Sequence, residues 1–163
     1  MKSNIVLIGM PGSGKSTIGP LLAKTFNKEF LDTDEVIRNN EKRELRDIVN
    51  ESGHETFLQI QEKTLLQINV RDHVIATGGS VVYSGLSMQH LGETGTVVYL
   101  QIGFEEVGKR LDPGRRFARR SDQSLLDIYN ERKRLYEKYA EITVECDGKT
   151  ADDIVKEISA YLR

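Results

Sequence analysis

The sequence is sparing in several respects. Cysteine occurs once in 163 residues, at Cys146, which excludes an intrachain disulfide and a zinc centre built on cysteine. No apolar run approaches the ~18 residues that a membrane span requires. Neither sign of charge is in excess: 23 lysines and arginines face 25 aspartates and glutamates, a net −2. A dedicated nucleic-acid binder is normally strongly basic, so no nucleic-acid partner is expected. Internal repeats and low-complexity stretches are missing. His54, His73 and His90 have no metal-ligand spacing and read as surface or capping residues. The opening MKSNIVLIGMPGSGKS carries one lysine and runs into a glycine-rich turn without a small-residue cleavage site. No signal peptide is therefore expected, and the default location is cytoplasmic.

What remains is an ordinary globular composition, 38% hydrophobic and 29% charged, at a length that suits one domain. Short β-branched runs alternate with longer amphipathic stretches. Strands are predicted at 4–8, 29–31, 73–76, 96–101 and 142–145, and helices near 15–26, 35–38, 45–51, 55–68, 104–111, 124–139 and 151–162. Alternation of this kind implies βαβ crossovers and a parallel sheet covered on both faces. The near-continuous apolar runs IVLI and VVYL fit strands buried on both sides. Tyr129, Tyr136 and Tyr139 recur on one predicted helix at a spacing that means packing. Pro20 falls just past the first turn of its helix, where its missing N–H costs a little.

Residues 9–16, GMPGSGKS, match the phosphate-binding pattern G-x-x-x-x-G-K-[ST], placed after an apolar strand and at the start of a helix as the motif requires. Gly9, Gly12 and Gly14, with Ser13 between them, let the backbone wrap closely and aim N–H groups at phosphate oxygens. The helix N-terminus adds a partial positive charge. Lys15 can reach the β- and γ-phosphates, and the Ser16 hydroxyl can ligate Mg²⁺. The plain alternative is a glycine-rich turn and nothing more. A guanine-reading Asn-Lys-x-Asp is absent, which argues against a GTPase.

The second predicted strand ends in Asp32-Thr33-Asp34 and the third in Thr77-Gly78-Gly79. If the extended geometry persists, Asp32 and Asp34 point the same way, at the carboxyl edge of the sheet where open α/β folds bind ligands. Asp32 suits a Mg²⁺ contact. Asp34 suits an acceptor hydroxyl, which it would orient and deprotonate; alternatively it caps the helix beginning near Glu35. Two glycines after the third strand allow a ligand to approach the backbone. Together these features point to an ATP- and Mg²⁺-dependent kinase of a small molecule.

The chain resembles the shikimate kinase family, within the nucleoside-monophosphate-kinase-like P-loop kinases. The resemblance rests on GMPGSGKST at 9–17, FLDTD at 30–34, ATGG at 76–79 and ERKRLYEKYA at 131–140, and it spans nearly the whole chain. It implies a three-layer α/β P-loop kinase fold with a five-stranded parallel sheet in the order 2-3-1-4-5, flanked by helices and closed by a lid. It implies one kinase domain over 1–163, with a substrate-binding helical region near 34–62 and a lid near 112–123, acting as a monomer without nucleic acid or membrane. By resemblance, Gly9, Gly12, Ser13, Gly14, Lys15, Ser16 and Thr17 hold the nucleotide, and Arg110 packs near its adenine. Ser16 and Asp32 serve Mg²⁺, and Asp34 serves the acceptor hydroxyl. Gly78 and Gly79 offer backbone contacts, and Arg132 grips the substrate carboxylate. The loop around Cys146–Thr150 lies where the family closes over the base.

Several positions depart from the family pattern. The usual arginine and glutamate of G-E-x-x-F-R-x-x-E are Leu58 and Gln61, and a usual third glycine is Ser80. The lid's usual Arg-Pro-Leu is replaced by a stretch in which residues 109–120 hold six cations and one acid. The remainder of the chain carries 17 cations against 24 acids. The basic stretch reads as a lid whose arginines fold onto the transferring phosphate, Arg115 and Arg116 being the candidates behind the Pro113-Gly114 hinge. A nucleic-acid patch and a merely solvated loop are the competing readings, the former weakened by having only Phe117 to stack on a base. The expected activity is phosphorylation of a hydroxyl on a small hydroxylated acid, with shikimate the leading acceptor. The alternatives are a paralogue acting on another acceptor and a non-catalytic nucleotide-binding regulator.

Overall fold

The computed structural model describes residues 2–111 and 123–163. Among them, β1 (Asn4–Ile8), β2 (Glu29–Asp32), β3 (His73–Ala76), β4 (Gly95–Gln101) and β5 (Ile142–Glu145) form one sheet. Every pairing is parallel and the order is β2-β3-β1-β4-β5, as expected. β1 occupies the centre, with Val6 facing Ile75 on one side and Val97 on the other. All five of its residues are buried, the burial that makes IVLI uniformly apolar rather than alternating.

Helices flank the sheet: α1 (Lys15–Thr25), α2 (Thr33–Glu41), α3 (Leu45–Ser52), α4 (His54–Leu66), α5 (Gly85–Thr94), α6 (Phe104–Arg110), α7 (Leu125–Tyr139) and α8 (Ala151–Leu162), with a single 3₁₀ turn at Val81–Tyr83. α1 turns Ile18 and Leu22 inward and packs on α8, which offers Ile154, Val155 and Ile158. α8 and α7 each begin in a reciprocal capping box, Thr150 with Asp153 and Ser124 with Asp127, which satisfies orphan N–H groups at both starts. Tyr129 and Tyr136 pack inward as expected, and Tyr139 lies at the edge of the same core.

Two differences from the sequence expectation matter. α2 begins at Thr33, not Glu35, because Asp32 already acts as its N-cap, accepting the Asp34 N–H at 2.9 Å. The cap is thus Asp32 and not Asp34. α5 and the 3₁₀ turn were not expected, since SGLSMQHLG mixes glycines with polar residues. Its start signal is Ser84, whose hydroxyl accepts the Ser87 N–H at 3.0 Å.

The apolar residues divide into two clusters. The larger surrounds the sheet. The smaller joins Ile37 of α2, Ile48 of α3 and Phe57 of α4, with Leu58 against them.

Candidate active site

The carboxyl ends of β1, β2 and β3 open into one cleft of about 230 Å³. Its walls are the glycine-rich loop with Lys15, Ser16 and Thr17, the Asp32 and Asp34 carboxylates, and Thr77-Gly78-Gly79. The loop leaves β1 and enters α1 through Gly14, whose φ of 107° is one that only glycine adopts without strain. The Ser13 N–H donates to Met10 O at 3.0 Å, tightening the loop. Lys15 is 7% exposed and folds along the loop, its Nζ donating to Gly9 O at 2.5 Å and Met10 O at 2.9 Å. The Ser16 and Thr17 side chains are exposed at the mouth of the cleft.

Asp32 and Asp34 reach the same cleft by a route other than the one expected. Extended geometry ends at Asp32, so the two do not project as alternate residues of one strand. Asp32 is the cap and Asp34 lies in the first turn of α2, and the helix N-terminus favours both carboxylates electrostatically. Behind them the fully buried Thr33 accepts the Gly78 N–H on its hydroxyl at 3.2 Å. Side chains of the protein itself crowd the glycine pair. A Cβ on Gly78 would lie 2.5 Å from Asp34 Oδ1, and one on Gly79 would lie 2.9 Å from Arg132 Nη1.

Arg132 is 1% exposed, held by its neighbours rather than by solvent. Its Nε donates to the Tyr83 hydroxyl at 3.4 Å and its guanidinium lies 5.5 Å from the Tyr83 ring centroid. The Tyr83 hydroxyl donates in turn to Glu131 Oε2 at 2.7 Å. Tyr136, fully buried, donates to Gly79 O at 2.6 Å and so fixes the second glycine. Burial pushes both phenols above their ordinary range while the nearby Arg132 charge opposes the rise. Both tyrosines therefore stay neutral hydrogen-bond donors near pH 7. Tyr83, Thr33 and the anchoring role of Tyr136 were not legible in the sequence: each acts through a backbone or side chain distant along the chain.

Arg110 lies on the other side of the loop. Its Nη1 donates to Gly12 O at 2.9 Å and its Nε to Glu106 at 3.0 Å. Burial pushes the neighbouring Cys146 thiol up to about 11, with the Lys149 and Arg110 charges acting against it. Arg110, the loop and Cys146 thus border one region. Arg115, Arg116 and nearly all of the expected lid at 112–123 lie outside the described residues. The buried polar pair Gln61 and Ser80 stands behind Gly78, with the Ser80 hydroxyl donating to Gln61 Oε1 at 3.0 Å.

A phosphate-binding loop at the head of a central parallel strand, facing two carboxylates and a backbone platform, defines a P-loop kinase of a small-molecule alcohol. Comparison with known proteins narrows this. The sequence profile described as "Shikimate kinase" matches residues 11–163. A shikimate kinase from Moorella thermoacetica is 34% identical over 166 residues, covering 100% of this chain and 96% of that protein. Among solved structures, a shikimate kinase from Acinetobacter baumannii in complex with shikimate superposes with a TM-score of 0.87 at 28% identity, covering 99% of this chain and 93% of that one. The enzyme from Aquifex aeolicus gives 0.81 at 31% identity, covering 98% and 95%. The chain belongs to the shikimate kinase family.

Proposed function

We propose that this chain transfers the γ-phosphoryl group of ATP to a ring hydroxyl of shikimate, giving shikimate 3-phosphate. The observation that carries the reading is the single cleft shared by Lys15, Ser16, Asp32, Asp34 and the Gly78-Gly79 backbone. One wall of it suits a polyphosphate and the other a hydroxylated ring. Family membership and the likeness to a relative solved with shikimate support the same acceptor.

Phosphoryl transfer asks a protein for positioning and charge compensation rather than covalent chemistry. The loop from Gly9 to Thr17 holds the phosphates through its backbone, and Lys15 balances charge on the transferring group. The Ser16 hydroxyl and the Asp32 carboxylate are hard oxygen donors lining the same cleft and fit Mg²⁺, which neutralises phosphate charge when bound. Asp34 aligns the acceptor hydroxyl and takes its proton on a carboxylate oxygen as the new O–P bond forms. Gly78 and Gly79 present backbone to the ring, and Arg132 pairs with the acceptor carboxylate. Arg110 flanks the base. Arg115 and Arg116, in a lid near 112–123, close over the phosphates. The whole is one domain over 1–163, with 34–62 as the helical acceptor region, acting as a monomer.

Leu58, Gln61 and Ser80 favour a second reading, a paralogue that phosphorylates a different small-molecule acceptor. Purified protein, ATP and Mg²⁺ offered shikimate, quinate, sugars and nucleoside monophosphates, with ADP release as readout, separates the two. Turnover of shikimate with a low KM is expected, with phosphate placed on the ring 3-oxygen by ³¹P NMR. Turnover of a different acceptor overturns the shikimate assignment. ATP binding with no turnover overturns the kinase reading in favour of a nucleotide-binding regulator.

A further inference from the structure

The 3₁₀ turn at Val81–Tyr83 comes just after the glycine pair, and its last residue reaches across to α7. Val81 and Val82 are buried and anchor the turn, so Tyr83 projects from a fixed backbone. Its hydroxyl bridges two consecutive residues of α7. It accepts from Arg132 Nε at 3.4 Å and donates to Glu131 Oε2 at 2.7 Å. Consecutive residues on a helix do not face each other, so a third group is needed to join Glu131 and Arg132 into one unit. A phenol suits that place because it accepts and donates at once, whereas phenylalanine does neither. Glu131 Oε2 is fixed a second time by Gln123 Nε2 at 3.1 Å, just before the start of α7.

Arg132 is the group this arrangement orients. Tyr83 takes its Nε edge, and the guanidinium also lies 5.5 Å from the Tyr83 ring centroid. The Nη1 end lies against Gly79, 2.9 Å from where a Cβ would stand, and Gly79 lines the cleft. Tyr136, one helical turn after Arg132, donates to Gly79 O at 2.6 Å. The glycine pair and its turn are thus pinned to α7 at two points, Glu131 and Tyr136, and Arg132 lies between them. An arginine has several rotatable bonds, and its planar fork pairs well with a carboxylate in few orientations. Holding it in one of them before the acceptor arrives lowers the cost of binding.

We propose that Tyr83 is a positioning residue: its hydroxyl, directed by Glu131, holds the Arg132 guanidinium in the orientation that pairs with the acceptor carboxylate, and so tunes the site to acceptors that carry one. The inference rests on the kinase reading above, in which Arg132 takes that carboxylate.

The test is a double-mutant cycle between Tyr83→Phe and Arg132→Lys, with shikimate affinity read by calorimetry and by KM. Tyr83→Phe is expected to weaken shikimate about tenfold, the scale of one lost hydrogen bond to a charged group. The carboxylate is remote from the reacting hydroxyl, so KM rises while kcat and the KM for ATP hold. In the Arg132→Lys background, where the planar fork is gone, Tyr83→Phe is expected to add almost no further loss. Glu131→Ala releases the hydroxyl without touching Tyr83, weakens shikimate less, and serves alone in the cycle if Tyr83→Phe does not fold. Unchanged shikimate affinity in Tyr83→Phe and Glu131→Ala overturns the proposal. So does an equal loss in both backgrounds, which marks a purely structural role. Should wild type use a different carboxylate-bearing acceptor, the shikimate assignment fails, and a Tyr83→Phe rise in KM for that acceptor still sustains the role of Tyr83. Turnover only of acceptors without a carboxylate overturns that role too, and turnover of none overturns the kinase reading with it.

Discussion

Asp34 enters the cleft from the first turn of α2, beside the glycine-rich loop and against Gly78. Its proposed task is confined to the acceptor, so Asp34→Asn is expected to lower kcat by about 10²–10⁴, the range for a positioned general base. ATP affinity, measured by calorimetry, should hold within a few-fold; an unchanged kcat would remove Asp34 from the mechanism. Cys146 offers a second test at the same scale. Burial raises its thiol from 9.0 to about 11, so at pH 8 the native thiolate fraction is about 100-fold below that of an unperturbed thiol. Iodoacetamide labelling of native protein should be slower than that of urea-unfolded protein by at least that factor. The sign of the linked stability follows from the raised value. The contribution of the neutral thiol is complete below pH 9 and is lost as pH rises toward 11. Urea midpoints that stayed flat across that window would contradict the assignment.

Elements were legible where pattern and burial agree. β1, β3, β5 and α8 fall on their predicted bounds, because uniform apolar runs and a Thr-capped amphipathic stretch have few other uses. α5 escaped because its glycines hide a weak periodicity in which only Ser87, Met88 and Leu91 face inward. The helix that begins after β2 escaped in part because one residue serves two ends. Asp32 closes the strand and caps α2, whereas the only cap weighed from sequence was Asp34, as the alternative to its acceptor role. That dual position yields a separable prediction. Asp32→Ala removes both cap and charge, and should cost about 1 kcal/mol through the cap, a fall of roughly 2–4 °C in Tm. Asp32→Asn keeps a good cap and removes the charge. Its Tm should stay near wild type while the Mg²⁺ concentration for half-maximal activity rises several-fold. Equal Mg²⁺ requirements in wild type and Asp32→Asn would take Asp32 out of the metal site.

At the scale of the molecule, two apolar clusters divide the labour: the sheet core holds the phosphate loop, and the Ile37–Ile48–Phe57 cluster holds the helices that carry Leu58 and Gln61. Phe57→Ala in the smaller cluster should cost about 3–5 kcal/mol locally. Hydrogen exchange should then show lost protection in α2, α3 and α4 while β1 and β4 keep theirs, with KM rising for the acceptor and not for ATP. Uniform loss across the sheet would mean that the clusters unfold as one. The net charge of −2 conceals a similar division, a basic stretch at 109–120 set in an acidic remainder. By itself the sequence determined the parallel sheet, the nucleotide loop and the carboxylate pair, because those depend on neighbours in the chain: a strand, a glycine-rich turn, a helix start. Only the tertiary structure decided which side chains meet around the glycine pair. Thr33 meets Gly78, Tyr136 meets Gly79, and Ser80 meets Gln61. Such buried hydrogen bonds link residues far apart in sequence, where local spacing carries no information.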